Sequence, residues 1–117
     1  MIICIDVGNS NIKYAVYDGG ERKISFRVST DLKRTSDEYG AQLAEMLNFN
    51  SIAAEDITGG IFSSVVPSLD YTIEHMLRVY LHIIPKQIAP GLKTGLRMRA
   101  DHAHEVGADR IVNNVAA

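Results

Sequence analysis

Ile2, Ile3, Cys4 and Ile5 form an unbroken apolar run that stops at Asp6, and no other stretch constrains the fold as much. A strand wetted on one face alternates apolar and polar residues, so a run that is apolar at every position has to be buried on both faces. The run therefore predicts a central strand with a carboxylate at its end. It is too short, and too soon followed by charge, for a signal h-region or a membrane span. A cytoplasmic chain is the expectation. Cys4 is the one cysteine, which excludes an internal disulfide and a Cys-cluster metal site, and it reads as a small buried strand residue.

The next segments build outward from that strand. Ile12 to Tyr17 is rich in β-branched and aromatic residues and stops at Asp18-Gly19-Gly20, a hairpin signal. Lys23 to Val28 alternates polar and apolar, as a strand with one wet face does. Three antiparallel strands are thus expected to open the fold. Thr35-Ser36-Asp37-Glu38 has the form of a capping box, and Tyr39, Leu43, Met46 and Leu47 then share one helical face. A fourth strand, Ile61 to Val66, is expected to run into Pro67, which suits a first helical turn. Leu69, Ile73, Met76, Leu77, Tyr80 and Leu81 continue at helical spacing, with His75 and His82 near the surface of that helix. A short strand, Lys86 to Ala89, then leads into a loop holding Lys93-Thr94-Gly95. Ile111, Val112, Val115 and Ala116 form the stripe of a last helix, which reads as cut off at Ala117 because no C-terminal signal follows.

With 117 residues, 46% of them hydrophobic and 22% charged, the chain can bury the core of one domain. A net charge of -2 with scattered Lys and Arg gives no electrostatic case for nucleic acid, which requires a clustered cationic excess.

Two short segments carry chemistry. In Asp6-Val7-Gly8-Asn9-Ser10-Asn11, Gly8 lets a ligand approach the backbone, and Asn9, Ser10 and Asn11 offer donors to phosphate oxygens. Asp6, at a strand end, is suited to hold Mg²⁺ directly or through its waters. Lys13 follows Asn11 on the same alternation and can reach the same anion. The same residues also make an ordinary β-turn, since Gly, Asn and Asp dominate turns for conformational reasons. In Gly107-Ala108-Asp109-Arg110, a helix start favours anions and keeps Asp109 ionised, while Arg110 can pair with a carboxylate. Plain helix capping accounts for the same Asp. Ser63-Ser64-Val65-Val66-Pro67 and Lys93-Thr94-Gly95 are of a kind that strand ends and loops contain routinely. His102 and His104 lack a third metal ligand.

The order of these segments is more specific than any one of them. Asp6 to Ser10, Ser29-Thr30, Arg34 to Gly40, Ser63 to Pro67, Pro90 to Gly95 and Glu105 to Asn113 together resemble a type III pantothenate kinase from Met1 to Ala117. The resemblance implies the α/β, ribonuclease H-like fold of actin-like ATPases and sugar kinases, here a mixed sheet opening with a three-stranded antiparallel meander and flanked by helices. It implies transfer of the γ-phosphate of ATP to pantothenate, the first step of coenzyme A biosynthesis. On this sequence it makes Asp6, Val7, Gly8, Asn9, Ser10, Asn11, Ile12 and Lys13 the ATP-phosphate segment, with Asp6 near Mg²⁺. Gly107, Ala108, Asp109 and Arg110 become the pantothenate segment, with Asp109 as the base.

Two departures from the family stand out. Arg99-Ala100-Asp101-His102-Ala103 replaces the usual Arg-Tyr-Asp-Asn-Pro, so an aromatic wall of the substrate pocket is missing. The family's second half, with another phosphate motif, a site for K⁺ or NH₄⁺ and much of a homodimer interface, has no counterpart within residues 1–117. The expectation is an N-terminal actin-like domain that lacks kinase activity alone. The alternative is a non-catalytic relative of the same fold, similar to transcription accessory factors.

Overall fold

The computed structural model describes residues 1–90. Its five-stranded sheet has the order β3-β2-β1-β4-β5, formed by β1 (Ile2–Val7), β2 (Asn11–Asp18), β3 (Glu21–Ser29), β4 (Gly59–Ser64) and β5 (Lys86–Gln87). The expected central strand is central: β1 pairs antiparallel with β2 and parallel with β4. The meander of β1, β2 and β3 is antiparallel throughout, and β5 adds a parallel edge to β4. The sheet is therefore mixed, as the family resemblance implied.

Helices α1 (Ser36–Phe49) and α2 (Asp70–Tyr80) supply the apolar cover of one face. Ile3, Ile5, Val7, Ile12, Tyr14, Val16 and Phe62 form a continuous core with Tyr39, Leu43 and Leu47 of α1 and Ile73, Met76 and Leu77 of α2. Tyr14 and Phe26, opposite each other on β2 and β3, stack with centroids 4.7 Å apart. The capping box is complete: the Glu38 amide donates to Thr35 Oγ1 at 3.1 Å, and the Thr35 amide donates to Glu38 Oε1 at 2.8 Å. Gly40 brings the helices together, because a Cβ there would collide with the ring of Tyr80. That contact offsets the entropic cost of glycine inside a helix.

The second face carries a smaller cluster, Cys4, Ala15, Tyr17 and Ile61, which confirms Cys4 as a buried strand residue.

Several boundaries move from the sequence expectation, among them the start of β4 at Gly59 rather than Ile61. β4 stops at Ser64 rather than Val66, because Ser64 Oγ accepts from the Val66 amide at 2.9 Å and donates to its carbonyl at 3.0 Å, drawing the chain out of the ladder. β5 is only Lys86–Gln87, shorter than the predicted Lys86 to Ala89. Pro67 begins a short 3₁₀ turn, Pro67–Leu69, ahead of α2. His75 is half-buried rather than superficial, with Nδ1 2.9 Å from Ser36 Oγ. Met46, predicted on the buried stripe of α1, is only half-buried at its edge.

Candidate functional site

The register of four strands assembles what the sequence keeps apart. Asp6 pairs with Lys13 across β1 and β2 and with Ser63 across β1 and β4, and Lys13 pairs with Arg27 across β2 and β3. Directly opposite residues share a face. A row Arg27, Lys13, Asp6, Ser63 therefore crosses the face opposite α1 and α2, at the carboxyl end of β1. Ser63 is fully buried, and its Oγ donates to Asp6 Oδ1 at 3.4 Å, the long end of hydrogen-bonding distance.

Above this row the chain turns from β1 into β2. Val7 and Ile12, paired and wholly buried, anchor the turn to the core and so offer a ligand only backbone. The Gly8 amide donates to the Asn11 carbonyl at 2.9 Å. A Cβ on Gly8 would stand 3.0 Å from that oxygen, which leaves no comfortable room for a side chain. The end of β3 clamps the turn from outside: Thr30 Oγ1 donates to the Gly8 carbonyl at 2.7 Å, and the Thr30 amide donates to the Ser10 carbonyl at 3.0 Å. Asn11 Nδ2 also donates to the Ser10 carbonyl, at 2.9 Å.

The Gly8, Ser10 and Asn11 carbonyls of the turn are thus engaged. Asn9 and Ser10 are exposed, and neither amide donates to any described residue. Two backbone amides that engage no described residue and a hydroxyl in a fixed turn, next to a lysine and a carboxylate on the adjoining strands, suit an anion accompanied by a hard cation. Among the described residues no three His, Cys, Asp or Glu side chains gather into a metal site. Mg²⁺ does not require such a group, since it is usually held through one or two carboxylates together with substrate phosphates and water.

Gly107, Ala108, Asp109 and Arg110 lie outside the described residues, as do Ala100, His102, His104, Lys93-Thr94-Gly95 and the last helix. Two contacts escaped sequence reasoning. Ser63 was legible as a strand-end serine within the family pattern, but its partnership with Asp6 depends on a register between strands more than fifty positions apart. Thr30 had no local signal for its contact with Gly8.

The family model described as type III pantothenate kinase matches residues 2–117. The chain belongs to the type III pantothenate kinase family. The type III pantothenate kinase of Geobacillus kaustophilus is 47% identical over 116 residues, which is 99% of this chain and 45% of that protein. The chain thus spans less than half the length of that curated relative. Among solved structures, a Porphyromonas gingivalis protein assigned as an N-acetylglucosamine kinase superposes with a TM-score of 0.56 at 20% identity, over 76% of this chain and 34% of the other. YeaZ from Pseudomonas aeruginosa gives 0.56 at 13% identity, over 92% and 50%. At these identities the likeness is one of fold, and it is the sugar-kinase and actin-like fold that the sequence implied. Among the described residues no helix is long and apolar enough to cross a membrane.

Proposed function

We propose that the chain supplies one half of the ATP and pantothenate site of a type III pantothenate kinase, acting in the cytoplasm in the first step of coenzyme A biosynthesis. The observation that carries this reading is the Lys13, Asp6, Ser63 row beneath a turn whose Asn9 and Ser10 amides engage no described residue. Donors held in a fixed turn bind phosphate oxygens with little reorganisation, and such positioning is the main way proteins assist phosphoryl transfer.

In this reading Asn9, Ser10, Asn11 and Lys13 orient the ATP phosphates, and Gly8 keeps the backbone close to them. Asp6, steadied by Ser63, would hold Mg²⁺, which when bound would supply charge neutralisation at the phosphates. Gly107, Ala108 and Arg110 seat pantothenate, with the Arg110 guanidinium on its carboxylate. Asp109 accepts the proton of the primary hydroxyl as the new P–O bond forms and the bond from the γ-phosphorus to ADP breaks. A loose transition state makes that proton transfer late, so positioning contributes more than deprotonation. The family resemblance extends the reading to a K⁺ or NH₄⁺ requirement and a homodimer in the full-length enzyme, with no role for nucleic acid.

Residues 1–117 as an N-terminal domain would form one wall of a cleft between two halves, a view supported by the 45% coverage of the Geobacillus enzyme. The 117-residue chain should therefore release no ADP in a coupled assay with ATP, Mg²⁺, K⁺ and pantothenate, and turnover would overturn the half-site reading. In a chain carrying both halves, Asp109→Asn should lower kcat at least about 100-fold. A smaller loss would remove Asp109 as the base, whereas no turnover at all by the unsubstituted chain carrying both halves would favour a non-catalytic relative of the fold.

A further inference from the structure

Tyr39, near the start of α1, has no exposed surface and packs in the core between the helices and the sheet. Its hydroxyl bonds one residue twice. It donates to the Asp31 carbonyl at 2.8 Å and accepts from the Asp31 amide at 2.9 Å. Asp31 belongs to the strap of residues 30–35 that joins the end of β3 to α1, so a buried phenol of the helix layer holds the backbone of a surface connection.

The strap has little else to fix it. Leu32 is 64% exposed and Lys33 is exposed as well, so neither anchors it by packing. Other polar contacts of residues 31–34 close the strap on itself. The Lys33 amide donates to Asp31 Oδ1 at 2.9 Å, the Arg34 amide donates to the Asp31 carbonyl at 3.2 Å, and Arg34 Nη1 donates to the Ser29 carbonyl at 3.2 Å. The Arg34 guanidinium also pairs with the Asp31 carboxylate at 3.9 Å and lies 5.3 Å from the centre of the Tyr39 ring. Among the described residues, Tyr39 is the core side chain that ties this segment down.

The residue before Asp31 is the one that grips the β1–β2 turn, through the Thr30 hydroxyl on the Gly8 carbonyl and the Thr30 amide on the Ser10 carbonyl. The Asp31 amide shares a rigid peptide plane with the Thr30 carbonyl, so holding one orients the other. Tyr39, Asp31, Thr30 and Gly8 thus form a continuous relay from the core to the turn. Without its buried end, the turn would have to be ordered by the ligand, and ordering at the moment of binding lowers affinity.

We propose that Tyr39 is a positioning residue for the ATP phosphates, its phenol fixing Asp31 so that Thr30 holds the β1–β2 turn in its binding shape. This role rests on the reading of that turn as the phosphate segment. It gives Ser29-Thr30 and Arg34 to Gly40, two segments of the family pattern with no chemistry of their own, a common task.

Hydrogen exchange in the 117-residue chain tests the relay with no nucleotide present. Tyr39→Phe keeps the ring and removes the hydroxyl. It should speed exchange of the Gly8 and Thr30 amides about threefold to tenfold beyond any change in the β1 amides, the range expected from losing one hydrogen bond. A contribution to stability alone would speed the β1 amides equally, and that result would overturn the proposal. In a chain carrying both halves of the fold, Tyr39→Phe and Thr30→Val should each raise KM for ATP about threefold to tenfold. The kcat and the KM for pantothenate should stay within about twofold of the parent, because an ordering cost falls equally on bound substrate and transition state. Thr30→Ser, which retains the hydroxyl, should restore the KM for ATP. Thr35→Ala, which removes a cap bond at the same helix end and leaves Asp31 held, should not move it. An unchanged KM for ATP in Tyr39→Phe would overturn the proposal, and Gly8→Ala, which crowds the turn directly, separates the two ways of reaching that result. If Gly8→Ala raises the KM for ATP, the turn binds phosphate and the relay alone fails; if it does not, the phosphate reading of the turn fails with it.

Discussion

The two faces of one sheet are built from the same strands by different rules. On the helix-covered face Ile3, Ile5, Tyr14, Val16 and Phe62 are interchangeable in kind, and their value lies in volume and shape. On the opposite face the row Arg27, Lys13, Asp6, Ser63 has no such redundancy, since each position differs in charge or hydrogen-bonding type. Strand alternation lets both exist in consecutive residues: Ile5 and Asp6 are neighbours in sequence and belong to opposite faces. Fold and chemistry can therefore be varied separately at adjacent positions, and substitutions at those two residues test whether they are in fact separable.

Ile5→Ala should show the largest effect. Ile5 has no exposed surface and pairs with Tyr14 and Phe62 on either side, so its loss leaves a cavity and should lower unfolding stability by about 2–5 kcal/mol in a urea titration. Asp6→Asn should do the reverse. Its stability should shift by no more than about 1 kcal/mol, because the Ser63 hydroxyl still finds an oxygen acceptor. In a chain carrying both halves of the fold, kcat for phosphoryl transfer should fall about 100-fold, the scale of losing one preorganised electrostatic contact. If Asp6→Asn unfolds the chain as readily as Ile5→Ala does, the division between the faces fails.

The same division explains how much was legible beforehand. The continuous run Ile2 to Ile5, the Asp18-Gly19-Gly20 hairpin and the Thr35 capping box are local signals, and each corresponds to an element in its expected place. The end of β4 was misjudged because the Ser64 hydroxyl competes for the backbone of Val66, a contest that apolar periodicity does not register. The candidate site was legible in its turn but not in its depth. Gly8 and the donors around it follow from turn chemistry, whereas Ser63 beside Asp6, Arg27 beside Lys13 and Thr30 on Gly8 depend on strand register, which no local pattern encodes.

Smaller effects sharpen the comparison on the helix side. Thr35→Ala removes the acceptor for the Glu38 amide and should cost about 1 kcal/mol, measured by thermal or urea unfolding. In a chain carrying both halves of the fold it should leave kcat for phosphoryl transfer unchanged, since α1 lies against the apolar face. A change in kcat would mean that the two faces communicate through the sheet.

The smallest neutral-pH effect, and the most specific in its pH dependence, belongs to Tyr14. Burial pushes its phenol well above the ordinary value, with Tyr39 adding to the shift and Arg34 opposing it. Its hydroxyl faces Met76 Sδ at 4.0 Å, a weak acceptor. Tyr14→Phe should therefore change stability at neutral pH by no more than about 1 kcal/mol. A phenol with a raised folded-state pKa contributes fully below its unfolded value of about 10, and that contribution is lost as pH rises from there towards the folded value. Across this alkaline window the parent should lose stability faster than Tyr14→Phe, as read from urea midpoints at successive pH values. Parallel curves would mean that the Tyr14 phenol reaches water in the folded chain, and that the helix-covered face is less closed than its packing requires.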